Sequence, residues 1–357
     1  MLCIGYFIVL LKSIYCRYGK KARICINGEK MMCSMAILVV TVLLSAQAMS
    51  QTTPEGTAWV SYRGSDGCVE LSNGTTRVVL DPNVGGRVVE YSLNGQNSLY
   101  QSPEKPAEGV QVVRPDAGRF DIGPEMTSPP RPQLWQGKWK AEIIGPGAAR
   151  LTSEKDTSSG VQLIREFRLD RNSSHLNCTQ TIINISDSTK RYNHWSRTLA
   201  VGGGICIVPL TPDSRFPLGY IYYGPGSVLN YRHEKTPNIR VRNGFLEILG
   251  TPPEPKFGID SYAGWLGYIT PSNLLFVKKF PVYPDRVYGE VAAYTISLWY
   301  YKNEMCELEP IGPRETLKAG ERASFTEDWW LLPYEFPQGK DVDLAAFEGY
   351  IQKNTRK

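Results

Sequence analysis

The sequence has 357 residues, with 40 lysines and arginines, 35 aspartates and glutamates, and only three histidines. Six of the basic residues and one acidic residue precede position 49, so the remaining chain holds 34 of each sign and no formal net charge. Because no basic surplus is left to neutralise phosphate groups, this composition argues against nucleic acid as a partner.

The N-terminal segment has the layout of a targeting sequence. An apolar run at 2–11 and a basic stretch precede a second apolar run at 35–49, which contains an A-x-A pattern ending at Ala48. This order is typical of a secretory signal peptide. We predict a signal peptide at 31–48 with cleavage near Ala48, and a secreted or periplasmic protein. Residues 1–30 are then an extended leader or an over-extended start. The alternative is an uncleaved leader that anchors the protein to a membrane.

Four of the eight cysteines follow the predicted cleavage site: Cys68, Cys178, Cys206 and Cys306. In an oxidising compartment they could form two disulfides, and buried free thiols are the alternative. No C-x-x-C pair occurs, so neither a zinc site nor another metal or cofactor is predicted.

From residue 55 to 336 the chain is dominated by short β-rich runs separated by glycine, proline, asparagine and aspartate. The predicted strands lie at 75–80, 87–93, 140–144, 149–153, 161–169, 175–185, 204–210, 245–249, 274–280, 294–301 and 305–311. Strands at this spacing predict an all-β sandwich. The 25 prolines also disfavour long helices.

The tail, 337–357, is the exception to the β pattern. Asp341 is the predicted helix N-cap. Side chains then recur at helical spacing: Val342, Ala345, Ala346 and Tyr350. We predict a short C-terminal helix that lies on the sandwich.

One long connection, from about residue 102 to 138, is rich in proline and glycine but also carries polar and aromatic side chains. These include Arg119, Asp121, Glu125 and Trp135. Loops of this length in compact domains are usually functional or disordered, and disordered segments are poor in aromatic residues. We therefore predict an ordered loop that covers one mouth of the sandwich.

Three segments of the sequence, in the same order as their counterparts in the family, resemble the galactose mutarotase (aldose 1-epimerase) superfamily. They are LSNGTTRVVLDPNVGGRVVEYSLNGQNSLY (71–100), NISDSTKRYNHWSRTLA (184–200) and MCELEPIGPRETLKAGERASFTEDWWLLP (305–333). The patterns GRFDIGPE, FVKKF and YPD are similar to those of a secreted, mostly bacterial branch of unknown function. The resemblance implies an antiparallel β-supersandwich that binds sugars in a cleft on one face.

The resemblance also implies an acid–base pair for opening the sugar ring. In the superfamily the base is the glutamate of a Leu-Glu pair, which corresponds to Glu309 here. The acid is the histidine of an Asn-His-aromatic segment, which corresponds to His194. Period-two alternation places Glu307 on the same strand face as Glu309. The second histidine of the superfamily has no counterpart at 100–140. The alternatives are a solvated strand face for Glu309 and a turn residue hydrogen-bonded to backbone for His194.

Five further residues are substrate-binding candidates: Arg119, Asp121, Lys278, Asp285 and Trp135. Arg119 and Asp121 could hold sugar hydroxyls or only pin their own loop. Trp135 could stack on a sugar ring or pack in the core. Lys278 could reach the cleft or snorkel, and Asp285 could bind substrate or cap a turn.

The combined prediction is a secreted protein that binds a mono- or oligosaccharide and has no metal or other cofactor. One alternative is an aldose 1-epimerase-type enzyme with Glu309 as base and His194 as acid. A further alternative is a structural envelope protein with a vestigial cleft, because a fold alone does not define a function.

Overall fold

The computed structural model describes residues 53–102, 117–223, 228–232 and 234–356. The predicted leader and signal peptide lie outside these residues, so those predictions stay predictions.

The described chain folds almost entirely into two antiparallel sheets. From edge to edge, the first sheet contains β1 (Thr57–Tyr62), β2 (Ser65–Ser72), β3 (Thr76–Asp81), β4 (Arg87–Leu93), β6 (Gly118–Gly123), β11 (Lys190–Val201), β21 (Met305–Leu317), β20 (Ile296–Tyr301), β17 (Lys256–Ile259), β13 (Ile221–Tyr223) and β14 (Leu229–Asn230), with β5 (Gln96–Asn97) beside β4. The second sheet contains β15 (Ile239–Arg242), β16 (Phe245–Ile248), β12 (Ile205–Pro209), β18 (Trp265–Thr270), β19 (Leu274–Lys279), β22 (Arg322–Pro333), β10 (Leu176–Asn184), β9 (Val161–Leu169), β8 (Ala148–Thr152) and β7 (Lys140–Gly145). The predicted all-β antiparallel supersandwich is confirmed.

The neighbouring strands β9 and β10 show why these sequences form a sandwich. In both strands every second residue is buried and the residues between are at least partly exposed. This is the alternation of strands with one face on a core and one toward water. Buried side chains from both sheets meet in a large hydrophobic core between them.

The prediction of a long loop at 102–138 is wrong in its second half. Residues Gly118–Gly123 form β6, a fully buried strand between β4 and β11. A short helix, α1 (Pro132–Gln136), follows it. The strand escaped prediction because GRFDIG is short, begins and ends with glycine and lies in a segment rich in proline and glycine, although Arg119 and Asp121 do alternate with Phe120 and Ile122.

The stretch YNHWSRT (192–198) is not a turn. It is the buried middle of β11, which pairs with both β6 and β21. The alternative for His194 is therefore wrong about the turn, whereas the hydrogen bond to backbone that it included is present, between the ring and the Ala323 carbonyl oxygen.

The C-terminal helix is confirmed as α2 (Leu344–Asn354). It is capped by Asp343 and not by Asp341, because the Asp343 carboxylate accepts a hydrogen bond from the Ala346 amide. Leu344, Phe347 and Ile351 pack against the outer face of the second sheet. Within the described residues, no helix is long and apolar enough to cross a membrane.

All four cysteines of the described chain are buried free thiols. The sequence left two alternatives open, two disulfides or buried free thiols, and the structure has the buried free thiols.

Candidate functional site

The middle of the first sheet carries charged side chains on the face that points away from the second sheet. On β11, His194 packs against Phe325 of β22 in the second sheet. Because side chains alternate along a strand, Trp195 and Arg197 point to the opposite, outer side. We call this outer surface the charged face and define it by six residues: Arg119, Asp121, Trp195, Arg197, Glu307 and Glu309.

Strand register brings these six residues together. Asp121 lies directly opposite Trp195 on the paired strands β6 and β11, and Arg119 lies opposite Arg197. On the other side of β11, Glu307 pairs with Leu199. Three adjacent strands therefore each contribute a pair of side chains separated by one residue, the spacing that keeps both on one face.

Glu309 is held by hydrogen bonding and charge. The indole Nε1–H of Trp195 donates to Glu309 Oε1 at 2.8 Å. Arg197 Nε lies 3.3 Å from the same oxygen and donates to Glu307 Oε1 at 3.1 Å. Both carboxylates are fully buried or nearly so.

The two glutamates differ in their acidity. Burial alone would raise the pKa of Glu307, but the charges of Arg197 and Lys256 hold this pKa below its ordinary value. Burial and then the negative charge of Glu307 raise the pKa of Glu309 to about 7. Two close carboxylates with separated pKa values give one charged group and one that can exchange a proton near neutral pH.

A second layer of charges surrounds the pair. Arg131 donates two hydrogen bonds to Asp121, at 2.6 and 2.8 Å. Lys256 of β17 lies 3.2 Å from Glu125 and 4.0 Å from Glu309 Oε2. The side chains of Glu125 and Lys256 are 32% and 16% exposed, so solvent reaches this second layer beside the charged face.

Trp135 at the end of α1 covers part of the charged face. Its ring lies 4.8 Å from the guanidinium carbon of Arg119, 5.1 Å from that of Arg131 and 5.2 Å from that of Arg197. Guanidinium groups at these distances are attracted by the ring's negative face. Trp135 and Arg119, two of the predicted substrate-binding candidates, are thus in contact in the structure.

A series of hydroxyl groups leads away from Glu309 toward a second acidic residue. Ser297 lies opposite Glu309 on β20, and its hydroxyl is 2.8 Å from that of Tyr223. The Tyr294 hydroxyl lies 3.1 Å from the Tyr223 hydroxyl and 3.5 Å from a Glu290 oxygen. Burial raises the pKa of Glu290 to about 7.

His194 does not lie on the charged face. Its ring stacks between Phe120 and Phe325, with centroids at 5.7 and 5.8 Å, and its Nε2 lies 3.1 Å from the Ala323 carbonyl oxygen. Burial lowers the pKa of His194 to about 4, which keeps the ring neutral. His194, the predicted acid, precedes Trp195 by one residue in the strand and therefore faces the core between the sheets.

Lys278 and Asp285 also lie away from the charged face. Lys278 is fully buried between the sheets, where its ammonium lies 2.9 Å from Glu327 and donates to the Leu308 carbonyl oxygen at 3.1 Å. Asp285 is exposed in the turn after β19. Neither residue is in contact with Glu309.

Sequence reasoning missed several members of the site: Arg131, Arg197, Lys256 and Glu290. Arg197 could have been found, because it follows Trp195 by two residues in the same strand. Lys256 is far along the chain in β17, and the sheet order, which places β17 beside β20, brings it near Glu309. Glu290 lies in the connection between β19 and β20 and reaches the site through the Tyr294 hydroxyl. Within the described residues, no three His, Cys, Asp or Glu side chains are grouped to hold a metal ion.

The fold is galactose mutarotase-like. A galactose mutarotase-like protein from Lactobacillus casei ATCC 334 aligns with a TM-score of 0.53 and 10% identity over 74% of this chain and 100% of the other. A proposed aldose 1-epimerase from Escherichia coli K12 has a TM-score of 0.52 and 12% identity, over 74% and 98%. A galactose mutarotase-like protein from Clostridium acetobutylicum has a TM-score of 0.50 and 13% identity, over 74% and 95%.

No family model matches the sequence, and no curated protein matches it significantly. At these identities the solved structures define the fold that this chain shares, which is the one implied by its sequence resemblance.

Proposed function

We propose that the charged face binds a carbohydrate. The observation that carries this proposal is a set of buried polar atoms without hydrogen-bond partners on that face: Arg119 Nε and Nη1, Arg197 Nη1, Glu307 Oε2 and Glu309 Oε2. Buried polar atoms are almost always hydrogen-bonded, so each of these lacks a partner that a ligand can supply. Because donors and acceptors occur together, a ring with many hydroxyl groups fits them better than an apolar ligand.

The fold supports the same ligand class. The structural neighbours are named after galactose mutarotase and aldose 1-epimerase, which act on sugars. The proposed site also combines charged groups with the aromatic rings of Trp135 and Trp195, and such a mixture of flat apolar faces and polar groups suits a pyranose.

This proposal is tested by measuring the affinity for a panel of neutral aldoses with ligand-observed NMR or calorimetry. The wild-type protein should bind at least one aldose, and Glu309→Gln should weaken binding by about tenfold, as expected for a lost hydrogen bond to a charged group. Glu166→Gln is the matched control, because Glu166 pairs with Arg150 on the second sheet. Equal affinities for the two variants, or no binding of any sugar, would remove the proposal.

A second candidate function is aldose 1-epimerase activity with Glu309 as the general base. The raised pKa of Glu309, about 7, favours it, because a base works best when its pKa is near the operating pH. His194 faces the core, so the acid must come from another group. Glu290, linked through the hydroxyls of Tyr294 and Tyr223, is the acid in this scheme.

Anomer exchange measured by NMR or polarimetry tests the second candidate. Exchange faster than in buffer alone, lost in Glu309→Gln and retained in Glu166→Gln, supports an enzyme. Exchange at the buffer rate leaves a binding protein without this activity.

We also propose that the protein is secreted or periplasmic, on the sequence of residues 31–48 alone. N-terminal sequencing of the protein from its host should find a chain that begins near residue 49. A chain that begins at residue 1 would contradict this proposal.

A further inference from the structure

Arg119 is a buried cation with no counter-ion among the described residues. It is only 5% exposed, and neither its Nε nor its Nη1 has a hydrogen-bond partner. A buried charge that lacks both a hydrogen bond and an ion pair is costly. Arg119 therefore needs a partner that the described chain does not provide.

The carboxylates nearest to Arg119 are already used by other arginines. Asp121 accepts two hydrogen bonds from Arg131, and Glu307 accepts one from Arg197. Arg131 and Arg197 each have a hydrogen-bonded carboxylate, and Arg119 is the arginine of this group that has none.

The charges around Arg119 have both signs: Arg197 and Arg87 repel it, whereas Glu307 and Asp121 attract it. Arg197 lies directly opposite on β11, an arrangement of like charges that destabilises a sheet. Burial, followed by the charges of Arg197 and Arg87, lowers the pKa of Arg119 to about 10, which still leaves the group charged near neutral pH. A negative group placed here would relieve this repulsion.

The Trp135 ring satisfies only part of this requirement. It lies 4.8 Å from the guanidinium carbon of Arg119 and attracts the charge through its face. The unpartnered N–H groups lie in the guanidinium plane, where an acceptor oxygen and not a ring face is required.

We infer that the sugar bound by the charged face carries an anionic substituent, and that Arg119 receives it. The inference rests on the carbohydrate-binding function proposed above. A carboxylate, as in a uronic acid, is the substituent that fits best. Arg119 offers one positive charge, whereas the dianion of a phosphate ester would leave one buried negative charge without compensation.

The test compares three ligand types by calorimetry: neutral aldoses (galactose and glucose), the matching uronates, and the matching 6-phosphates. The wild-type protein should bind a uronate at least about tenfold more tightly than the neutral sugar, as one charge-assisted hydrogen bond provides. Arg119→Gln should abolish that preference, because it should lower the affinity for the uronate about tenfold more than the affinity for the neutral sugar. Arg119→Lys should retain part of the preference, since it keeps the charge.

Arg150→Gln is the matched control, because Arg150 is a partly exposed arginine on the second sheet.

A preference for the 6-phosphate that depends on Arg119 would support an anion site at this residue and identify the anion as a phosphate instead of a carboxylate. Equal binding of neutral and anionic sugars would overturn the inference while leaving carbohydrate binding intact. Binding of no sugar at all would overturn the proposed function itself. If Arg119→Gln does not fold, the Arg119→Lys affinities and the salt dependence of wild-type uronate binding decide the question.

Discussion

The indole N–H of Trp195 donates a hydrogen bond to Glu309 over 2.8 Å, from the strand next to that of the glutamate. The residue before Trp195 in the chain, His194, points to the other side of the same strand and stacks on Phe325 of the second sheet. One step along β11 therefore separates the proposed binding site from the core. This relationship decides which of the two sequence-predicted catalytic residues can touch a ligand on the charged face.

The first prediction contrasts these two residues. Glu309→Gln should weaken sugar binding by about tenfold, whereas His194→Phe should leave the affinity unchanged within about twofold. Phenylalanine fits between Phe120 and Phe325 and does not reach the charged face. The measurement is calorimetric titration with the best-bound sugar. A loss of binding in His194→Phe with an unchanged circular dichroism spectrum would contradict the placement of this ring.

His194 should also contribute to the pH dependence of stability. Its pKa is about 4 in the folded protein, and about 6.5 in the unfolded chain. Between these values the unfolded chain binds more protons, so the free energy of unfolding should fall as the pH decreases from about 6.5 to about 4. Urea unfolding should show a smaller decrease in His194→Phe than in the wild type. Identical pH profiles would show that His194 is not buried as a neutral ring.

Glu290 should act with the opposite sign. Its pKa is raised to about 7 in the folded protein, above its ordinary value, so the folded state holds the extra proton between the two values. The free energy of unfolding should therefore decrease as the pH rises toward about 7, and ionised Glu290 should destabilise the fold above that pH.

Glu290→Gln removes this ionisation. The variant should be more stable than the wild type at about pH 8, by up to about 3 kcal/mol, and should gain much less at about pH 5. The exposed Glu304 provides the control, since Glu304→Gln should change stability little at either pH. A gain in Glu290→Gln that is equal at both pH values would refute the assignment.

The buried ion pair of Lys278 and Glu327 joins two neighbouring strands of the second sheet, β19 and β22. Lys278 of β19 donates to the Leu308 carbonyl oxygen of β21, between the two glutamates of the charged face. Lys278→Met leaves Glu327 as an unpaired buried charge and should destabilise the protein by about 3–5 kcal/mol in urea unfolding.

A double variant provides the check on this reasoning. Lys278→Met combined with Glu327→Gln should be more stable than Lys278→Met alone, because the unpaired charge is gone. Arg150→Met, which breaks a partly exposed ion pair, should cost less than about 1 kcal/mol. If the double variant is not more stable than Lys278→Met alone, the cost does not come from an unpaired charge.

The fold was largely predictable from sequence. Strands such as β9 and β10 alternate between core and surface, and others such as β12 and β19 are short apolar runs that are buried on both faces. The strand at 161–169 has the predicted bounds, with buried and partly exposed residues in turn. The strand β6 was missed because it is short, begins and ends with glycine and lies in a segment rich in proline and glycine. The strand β11 was missed because its core face carries polar side chains such as His194 and Ser196, so polar and apolar residues do not alternate along it.

The site was predictable only in part, for the same reason. Glu307, Glu309, Arg119, Asp121 and Trp135 do lie together, and their roles in sugar binding stay predictions. His194 and Lys278 lie on the core side of their strands, which the hydrophobic pattern alone could not reveal. Partners such as Lys256 depend on the order of strands in the sheet, which sequence spacing does not encode.

The most direct test of the central claim is a crystal structure with a bound sugar. We expect the ring to lie on the outer face of the first sheet, with hydroxyl groups within hydrogen-bond distance of Glu307, Glu309 and Arg197. A sugar bound only elsewhere on the molecule, with these side chains unchanged and untouched, would contradict the account.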